Sequence, residues 1–522
     1  MPQEQLSQIA YIDGADEKRS LTYGQVRADA EGLSNALRNP ASPWGGIKKG
    51  DIITLYGPNS MELPAIIFGV YRSGAGISPS NPNYVARELE HQLKTSGSRL
   101  LITHPSVVST ALEAAKHAGI PRSHVLVFGE GATEGLQTIS GLIEAGKKLK
   151  FGEVQWTADE VKNQTVLVPY SSGTTGLPKG VMLTHYNLVS NVSQWMAIQD
   201  NSKPPSTRVC LIPLFHMNGI MQFLCVAPKV GATTVVFPRF DLPLALAAWS
   251  KYKVDSIGIV PPIANVIAKH PVVDKFDMSN LKTIGCGAAP LGGEVEDMLT
   301  KRFNVIVQQG YGCTEGTCAA TLYRHDTPYH RGSVGTPLPN MEVKVVDPDT
   351  GKVVGFNKEG ELWFKGPNIC KGYINNPEAT KSSFTPDGFY KTGDIVTINE
   401  DRIVWVKDRL KELIKYNAFQ VAPAELEDIL NSHPHVEDAA VTAAPSEEHG
   451  EVPKAYVVLK PGVEKTSKVA KEIKEFLDKS VAPHKRLRGG LEFREVIPKN
   501  PSGKILRRVL RDEERERAKA KL

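Results

Sequence analysis

Residues 166–185 read Val166-Leu-Val-Pro-Tyr-Ser171-Ser-Gly-Thr-Thr-Gly-Leu-Pro-Lys179-Gly-Val-Met-Leu-Thr-His185. The apolar run Val166 to Val168 predicts a buried strand. It delivers the chain into a segment with four aliphatic hydroxyls (Ser171, Ser172, Thr174, Thr175), three glycines (Gly173, Gly176, Gly180) and Lys179. Glycine lets a backbone approach a ligand closely, and its N–H groups can converge on phosphate oxygens. The hydroxyls add donors and Lys179 adds a positive charge, so the segment suits a polyphosphate. It is not the common P-loop, in which Gly-Lys runs directly into Ser or Thr. Here Lys179 lies between Pro178 and Gly180. Surface loops share this composition, so the rest of the chain decides its meaning.

With 522 residues the chain exceeds what one hydrophobic core supports, which predicts at least two domains. A composition of 41% hydrophobic and 23% charged residues is that of a globular protein, and a net charge of +5 is too small at this length to point to nucleic acid. Six scattered cysteines show neither zinc spacing nor a disulfide framework, which favours a reducing compartment. The N-terminus has no basic n-region and no apolar core, so no secretory signal is expected. Val209 to Pro228 is nearly long enough to span a bilayer, but it contains Pro213, His216, Asn218 and Gly219, and reads as a buried, broken element.

Thr22 is positioned to cap a helix with Val26, Ala30, Leu33 and Leu37 on one face. Asp51 to Tyr56 predicts a strand, followed by an apolar helix through Tyr71. Pro79 to Tyr84 reads as a loop, Ala86 to Thr95 as a helix and Arg99 to Thr103 as a strand. Lys251–Pro261, Leu281–Gly287 and Asn304–Gly310 continue the pattern of strand, then loop. Alternating strands and helices imply an α/β fold with a parallel, doubly covered sheet, which binds ligands at its strand ends.

The string Ser171–Gly180 resembles the phosphate-binding loop of the adenylate-forming superfamily: acyl- and aryl-CoA synthetases, firefly luciferase and peptide-synthetase adenylation domains. The superfamily's other signatures follow in order. Leu211-Ile-Pro-Leu-Phe-His-Met-Asn-Gly219 resembles the Phe-His element, which implies His216 in the acyl pocket and at the reacting centre. Gly285-Cys-Gly-Ala-Ala-Pro-Leu-Gly292 resembles the adenine-side loop, with Gly287, Ala288 and Ala289 near the base. In Gln309-Gly-Tyr-Gly-Cys-Thr-Glu315 the resemblance implies Tyr311 and Gly312 at adenine, Thr314 on the α-phosphate and Glu315 holding Mg²⁺, a metal that prefers hard oxygen ligands. Tyr390-Lys-Thr-Gly-Asp394 supplies the ribose-binding aspartate.

Val404 to Glu425 and Pro501-Ser-Gly-Lys504 complete the set. The segment Asp408-Arg-Leu-Lys411 and Phe419-Gln-Val-Ala-Pro-Ala-Glu-Leu-Glu427 is most similar to the 4-coumarate–CoA ligase and luciferase branch. It implies Arg409 on ribose, a hinge at Lys411, and Lys415 and Gln420 facing the reaction in one of two domain orientations. Lys504 is, by resemblance, the catalytic lysine of adenylation. The resemblance covers the chain from about Thr22 onward. It implies a large N-terminal domain of layered sheets and helices, residues 1–409, and a small mobile α+β C-terminal domain, residues 410–522.

The implied activity is that of an acyl- or aryl-CoA ligase using ATP, CoA and Mg²⁺. A carboxylate attacks the α-phosphate to give acyl-AMP and pyrophosphate, and CoA then takes the acyl group. The alternatives are adenylate formation without CoA, as in luciferase or carrier loading, and a non-catalytic nucleotide-binding member. Ala418 replaces a glycine beside the implied path of the thiol. Gly285 and Asn218 replace a lysine and a tyrosine that plant hydroxycinnamate ligases usually carry, and with Gly310 they define the expected acyl pocket. Losing both polar side chains predicts a larger, greasier pocket for phenylpropanoid-like, arylacetic or medium-chain fatty acids. Ala520-Lys521-Leu522 resembles a peroxisomal address read by the import receptor, with cytoplasm as the alternative location.

Overall fold

The computed structural model describes residues 3–171, 178–199, 206–410, 412–417, 419–446, 448–500 and 503–519. Ser172, Gly173, Thr174, Thr175, Gly176, Lys411, Ala418 and the Ala520–Leu522 tripeptide lie outside the described residues.

The first helix, Tyr23–Arg38, starts where its cap residue predicts. Thr22 Oγ1 accepts from Gln25 N–H, and the Gln25 side chain accepts from Thr22 N–H. Val26, Ala30, Leu33 and Leu37 are its buried face. A seven-stranded sheet forms the N-terminal layer. Its order is Leu183–Thr184, Thr165–Leu167, Gly76–Ser80, Ile52–Tyr56, Ser98–Thr103, Val125–Val127 and Gln137–Thr138. Every pairing is parallel except that of the first two strands. Ile52–Tyr56 is buried at every position, as a central strand covered on both faces must be. One expectation needs correcting: Pro79 and Ser80 are not loop but finish the strand Gly76–Ser80, which Pro79 enters without breaking the sheet.

A second parallel sheet carries the part of the molecule that faces the cleft. Its strands are Ser256–Ile259, Thr283–Cys286 and Ile306–Gln309, paired so that Gly258, Gly285 and Gln308 stand in one row. Lys251 belongs to the preceding helix rather than to the strand, because the helix Leu242–Lys251 runs on to that residue. Val209 to Pro228 is indeed broken: a strand ends at Cys210, a short helix spans Met217–Gly219, and a π-helix spans Ile220–Val226. Among the described residues no helix is long and apolar enough to cross a membrane.

An antiparallel four-stranded sheet, from Glu342–Val346 to Val404–Arg409, closes the large N-terminal domain. The C-terminal domain has its own buried cluster, including Ile414, Leu426, Val441, Val457, Ile473 and Leu487. Its longest strands, Val436–Ser446 and Gly450–Leu459, form an antiparallel pair. Asp408 joins the two domains: its Oδ2 accepts from the Ala424 N–H at 3.0 Å, at the start of the helix Pro423–Ser432. A carboxylate there is favoured by the helix dipole.

Candidate active site

The two described flanks of the hydroxyl-rich segment form an antiparallel pair, with Ser171 opposite Lys179 and Tyr170 opposite Gly180. Lys179 and Gly180 are therefore strand, and no helix follows Lys179 directly. The two flanks meet a buried carboxylate. Ser171 Oγ donates to Glu315 Oε1 at 3.0 Å, and Tyr373 Oη donates to the same oxygen at 2.8 Å. Lys179 Nζ stands 5.2 Å from the centre of the Tyr373 ring. Burial and then the Glu315 charge push the Tyr373 phenol up, so it remains a donor. Glu315 Oε2 has no partner among the described residues.

Among those residues no group of three or more His, Cys, Asp or Glu side chains gathers to hold a metal. Magnesium often takes only one or two carboxylates and completes its shell with phosphates and water. The free oxygen of Glu315, beside the paired flanks, fits that pattern.

Across the cleft, Tyr311 Oη donates to Asp394 Oδ2 at 2.6 Å, and Arg409 Nε pairs with Asp394 Oδ1 at 3.1 Å. The strands Tyr390–Ile398 and Val404–Arg409 set this pair, because Asp394 stands opposite Arg409 in register. A carboxylate has about four acceptor sites, so Asp394 keeps capacity for two further hydroxyls. The Gly285–Gly292 loop is small and strained: Ala288 has φ +74°, in the region that favours glycine. Gly312 is required by packing, since a Cβ there would lie 1.6 Å from the Cys318 carbonyl oxygen.

Lys504 reaches this group from the C-terminal domain. Its turn is fixed by Lys504 N–H donating to Asn500 Oδ1 at 2.9 Å and by Gly503 N–H donating to Asn500 O at 2.8 Å. Gly503, at φ +81°, lies so close to Pro262 that a Cβ would approach its ring at 2.6 Å. Burial pushes Lys504 down to about 8; Arg409 adds to this and Asp394 opposes it. His216, in the same cleft, is pushed down to about 4 by burial and then by Lys504. It is therefore a neutral imidazole near neutral pH, within electrostatic reach of an ammonium.

These side chains line one cleft of about 2840 Å³. It gathers Ser171, Lys179, His216, Asn218, Gly285, Gly287, Ala288, Ala289, Gly310, Tyr311, Gly312, Thr314, Glu315, Asp394, Arg409 and Lys504. It does not gather Lys415, which is exposed and whose backbone N–H donates to Glu451 Oε2 at 2.9 Å. Gln420 stands opposite Lys415 in an antiparallel pair. The cleft thus holds Lys504 and leaves Lys415 outside.

The expected acyl pocket departs from one expectation. Gly285 does leave room, for a Cβ would meet only the Ile257 carbonyl oxygen at 3.7 Å. Asn218, however, does not leave the wall greasy. Its Oδ1 accepts from Gln222 Nε2 at 2.7 Å, which adds a second carboxamide one helical turn on. Gln222 and Tyr373 both went unread in the sequence. Neither lies in a motif, and Tyr373 meets Glu315 from 58 positions away.

The two-domain α/β fold and this cleft define an adenylate-forming enzyme. The AMP-binding enzyme family profile matches residues 2–374, and the profile of its C-terminal domain matches residues 425–504. A 4-coumarate–CoA ligase of Petroselinum crispum is 40% identical over 511 residues, covering 96% of this chain and 90% of the relative. A 4-coumarate–CoA ligase-like protein of Arabidopsis thaliana is 40% identical over 521 residues, covering 98% and 92%. An anthranilate CoA ligase solved in complex with anthranoyl-AMP superposes with a TM-score of 0.89 at 25% identity, covering 99% of this chain and 96% of that one. ATP-bound MatB from Rhodopseudomonas palustris gives 0.85 at 26% identity, covering 98% and 97%. The chain belongs to the AMP-binding enzyme family.

Proposed function

We propose that this protein is an ATP-dependent acyl- or aryl-CoA ligase. In the first step a carboxylate oxygen attacks the α-phosphorus of ATP, the bond to the β-phosphate breaks, and pyrophosphate leaves. In the second the CoA sulfur attacks the acyl carbonyl, AMP departs with the phosphate oxygen, and the thiol proton passes to solvent. The observation that carries the reading is Lys504 placed in one cleft with His216, Asp394 and Arg409. The first step brings two anions together, so it needs a cation between them. Lys504 supplies that charge to the carboxylate and the α-phosphate. Neutral His216 borders the carboxylate and adds no charge of its own, which leaves Lys504 as the cation there. Thr314 donates to the α-phosphate, and Asp394 and Arg409 hold the ribose. Glu315 holds Mg²⁺, which supplies charge neutralisation to the departing phosphates.

The second step uses the same carbonyl with a different partner. In our reading the small domain turns about Lys411, withdrawing Lys504 and bringing in Lys415 and Gln420. The C-terminal tripeptide addresses the enzyme to the peroxisome. The substrate is a phenylpropanoid-like, arylacetic or medium-chain fatty acid.

The test is pyrophosphate release from ATP and Mg²⁺ across a panel of acids, with and without CoA. Sustained turnover only with CoA supports the ligase. Turnover indifferent to CoA would make the adenylate the product and overturn the second step.

A further inference from the structure

The helix Gly293–Phe303 belongs to the large domain and starts where the Gly285–Gly292 loop ends. The first N–H groups of any helix lack partners within it, and a polar side chain at the N-cap position commonly accepts from one of them. Here the N-cap residue is Gly292, which has no side chain to offer.

The missing acceptor comes from the small domain. Asp428 stands on the helix Pro423–Ser432, which packs against Gly293–Phe303 across the domain boundary. A Cβ on Gly292 would run into Asp428 Oδ1 and stand 3.0 Å from its Cγ, so the carboxylate lies directly against the helix start. Burial pushes the Asp428 carboxyl up; the Gly293 N–H and then Arg331 hold it down, against the charges of Glu294 and Asp297. Arg331 is itself fixed beside this helix by Asp297, at 2.6 Å. A carboxylate at a helix N-terminus is favoured both as a cap and by the dipole. Glycine at 292 is what admits it. The backbone there is extended, with φ −62° and ψ 142°, a conformation open to any residue. The neighbour, not the turn, requires the absent side chain.

The helix that Asp428 docks is also tied to Lys504. Its residue Glu427 pairs with Arg507, and Glu427 Oε1 accepts from Arg507 Nε at 3.3 Å. Arg507 opens the C-terminal helix directly behind the Lys504 turn. A run of contacts therefore leads from the start of Gly293–Phe303 through Asp428, Glu427 and Arg507 to the lysine.

We propose that Asp428 is a positioning residue for adenylation: it caps the helix Gly293–Phe303 across the domain boundary and so holds the small domain where Lys504 enters the cleft. The contact spans both domains, so it is given up when the small domain turns. Asp428 serves the first half-reaction and not the second. The proposal rests on the ligase reading only for the existence of that second half-reaction.

The test reads the half-reactions separately with cinnamate, phenylacetate and hexanoate. Adenylation is followed as hydroxamate formed from ATP without CoA, and thioester formation as the reaction of the supplied acyl-AMP with CoA. Asp428→Ala should lower kcat for hydroxamate roughly fivefold, with KM for ATP within about twofold, and leave the thioester rate at or above that of the wild type. Asp428→Asn, as good a cap, should keep hydroxamate formation within about twofold. Gly292→Ala displaces the carboxylate and should lower kcat as Asp428→Ala does. In the Asp428→Ala background it should add nothing, because its methyl group would meet only the Cβ at 3.7 Å. Equal losses in both half-reactions, no loss in Asp428→Ala, a loss that Asp428→Asn shares, or additive losses in the double variant would each overturn the docking role and leave the ligase reading standing. A wild-type enzyme that forms hydroxamate but no thioester would overturn the ligase reading, and the Asp428–Gly292 cycle would still decide the docking. No hydroxamate from any of the three acids would overturn both.

Discussion

The two ends of the cleft are built on opposite principles. At the charged end both carboxylates are locked to named partners: Glu315 by Ser171 and Tyr373, Asp394 by Tyr311 and Arg409. Space is so short there that Gly312 admits no side chain. At the His216 end the groups are neutral, Gly285 has room for a side chain, and Asn218 is paired with Gln222. Preorganised charge serves a step common to every acid, whereas shape and neutral hydrogen bonds serve the choice among acids. The enzyme separates chemistry from selection along one cleft.

The largest expected effect tests the charged end. Lys504→Ala should cut acid-dependent pyrophosphate release by about 100-fold or more, with a far smaller change in binding of the acid. Steady-state kinetics on both substrates would show it, and an equal loss in both parameters would not fit a charge clamp. Next comes a residue outside the motifs. Tyr373→Phe frees one lone pair of Glu315 and should weaken the apparent Mg²⁺ affinity by roughly tenfold, read from a metal titration at saturating ATP.

Acidity sharpens the contrast further. Lys504 sits near 8 because burial disfavours its charged form. The ammonium is the working state, so kcat/KM for adenylation should fall as pH rises through about 8. Lys504→Arg, which keeps its charge, should move that descending limb upward whatever its absolute rate. A pair of glycine substitutions gives the smallest numbers and the most direct comparison of the two ends. Gly312→Ala should destabilise the fold by about 1–3 kcal/mol in denaturant unfolding. Gly285→Ala should stay within about 0.5 kcal/mol. Equal losses would erase the distinction between a crowded end and an open one.

The same division governs what could be read from the sequence. The parallel sheet, the Thr22 cap and the strand that leads into Ser171 are local patterns, set by neighbours in the chain. The residues that line the charged end of the cleft were legible because they sit in ordered strings, such as Gly310 to Glu315. Tyr373 was not, because its contact with Glu315 depends on tertiary packing alone. Gln222 was hidden for another reason. Its aim follows from a π-helix, and a π-helix has no periodic signature that distinguishes it from an α-helix over seven residues. Asn218 was read alone as a lost polar side chain, when its meaning lies in the partner one turn away.

The placement of Lys504 has a consequence for chemical labelling. Ordinary lysines titrate near 10.4 and are almost wholly protonated at mildly alkaline pH. At pH 8 to 9 a large share of Lys504 is free amine, and it lines an open cleft. A small amine-reactive ester would therefore find an unusually large share of unprotonated amine at Lys504. Bound nucleotide would shield it and hold its proton in place. The enzyme thus carries an internal reporter, in which the rate of covalent modification at a single lysine measures how much of the cleft is occupied.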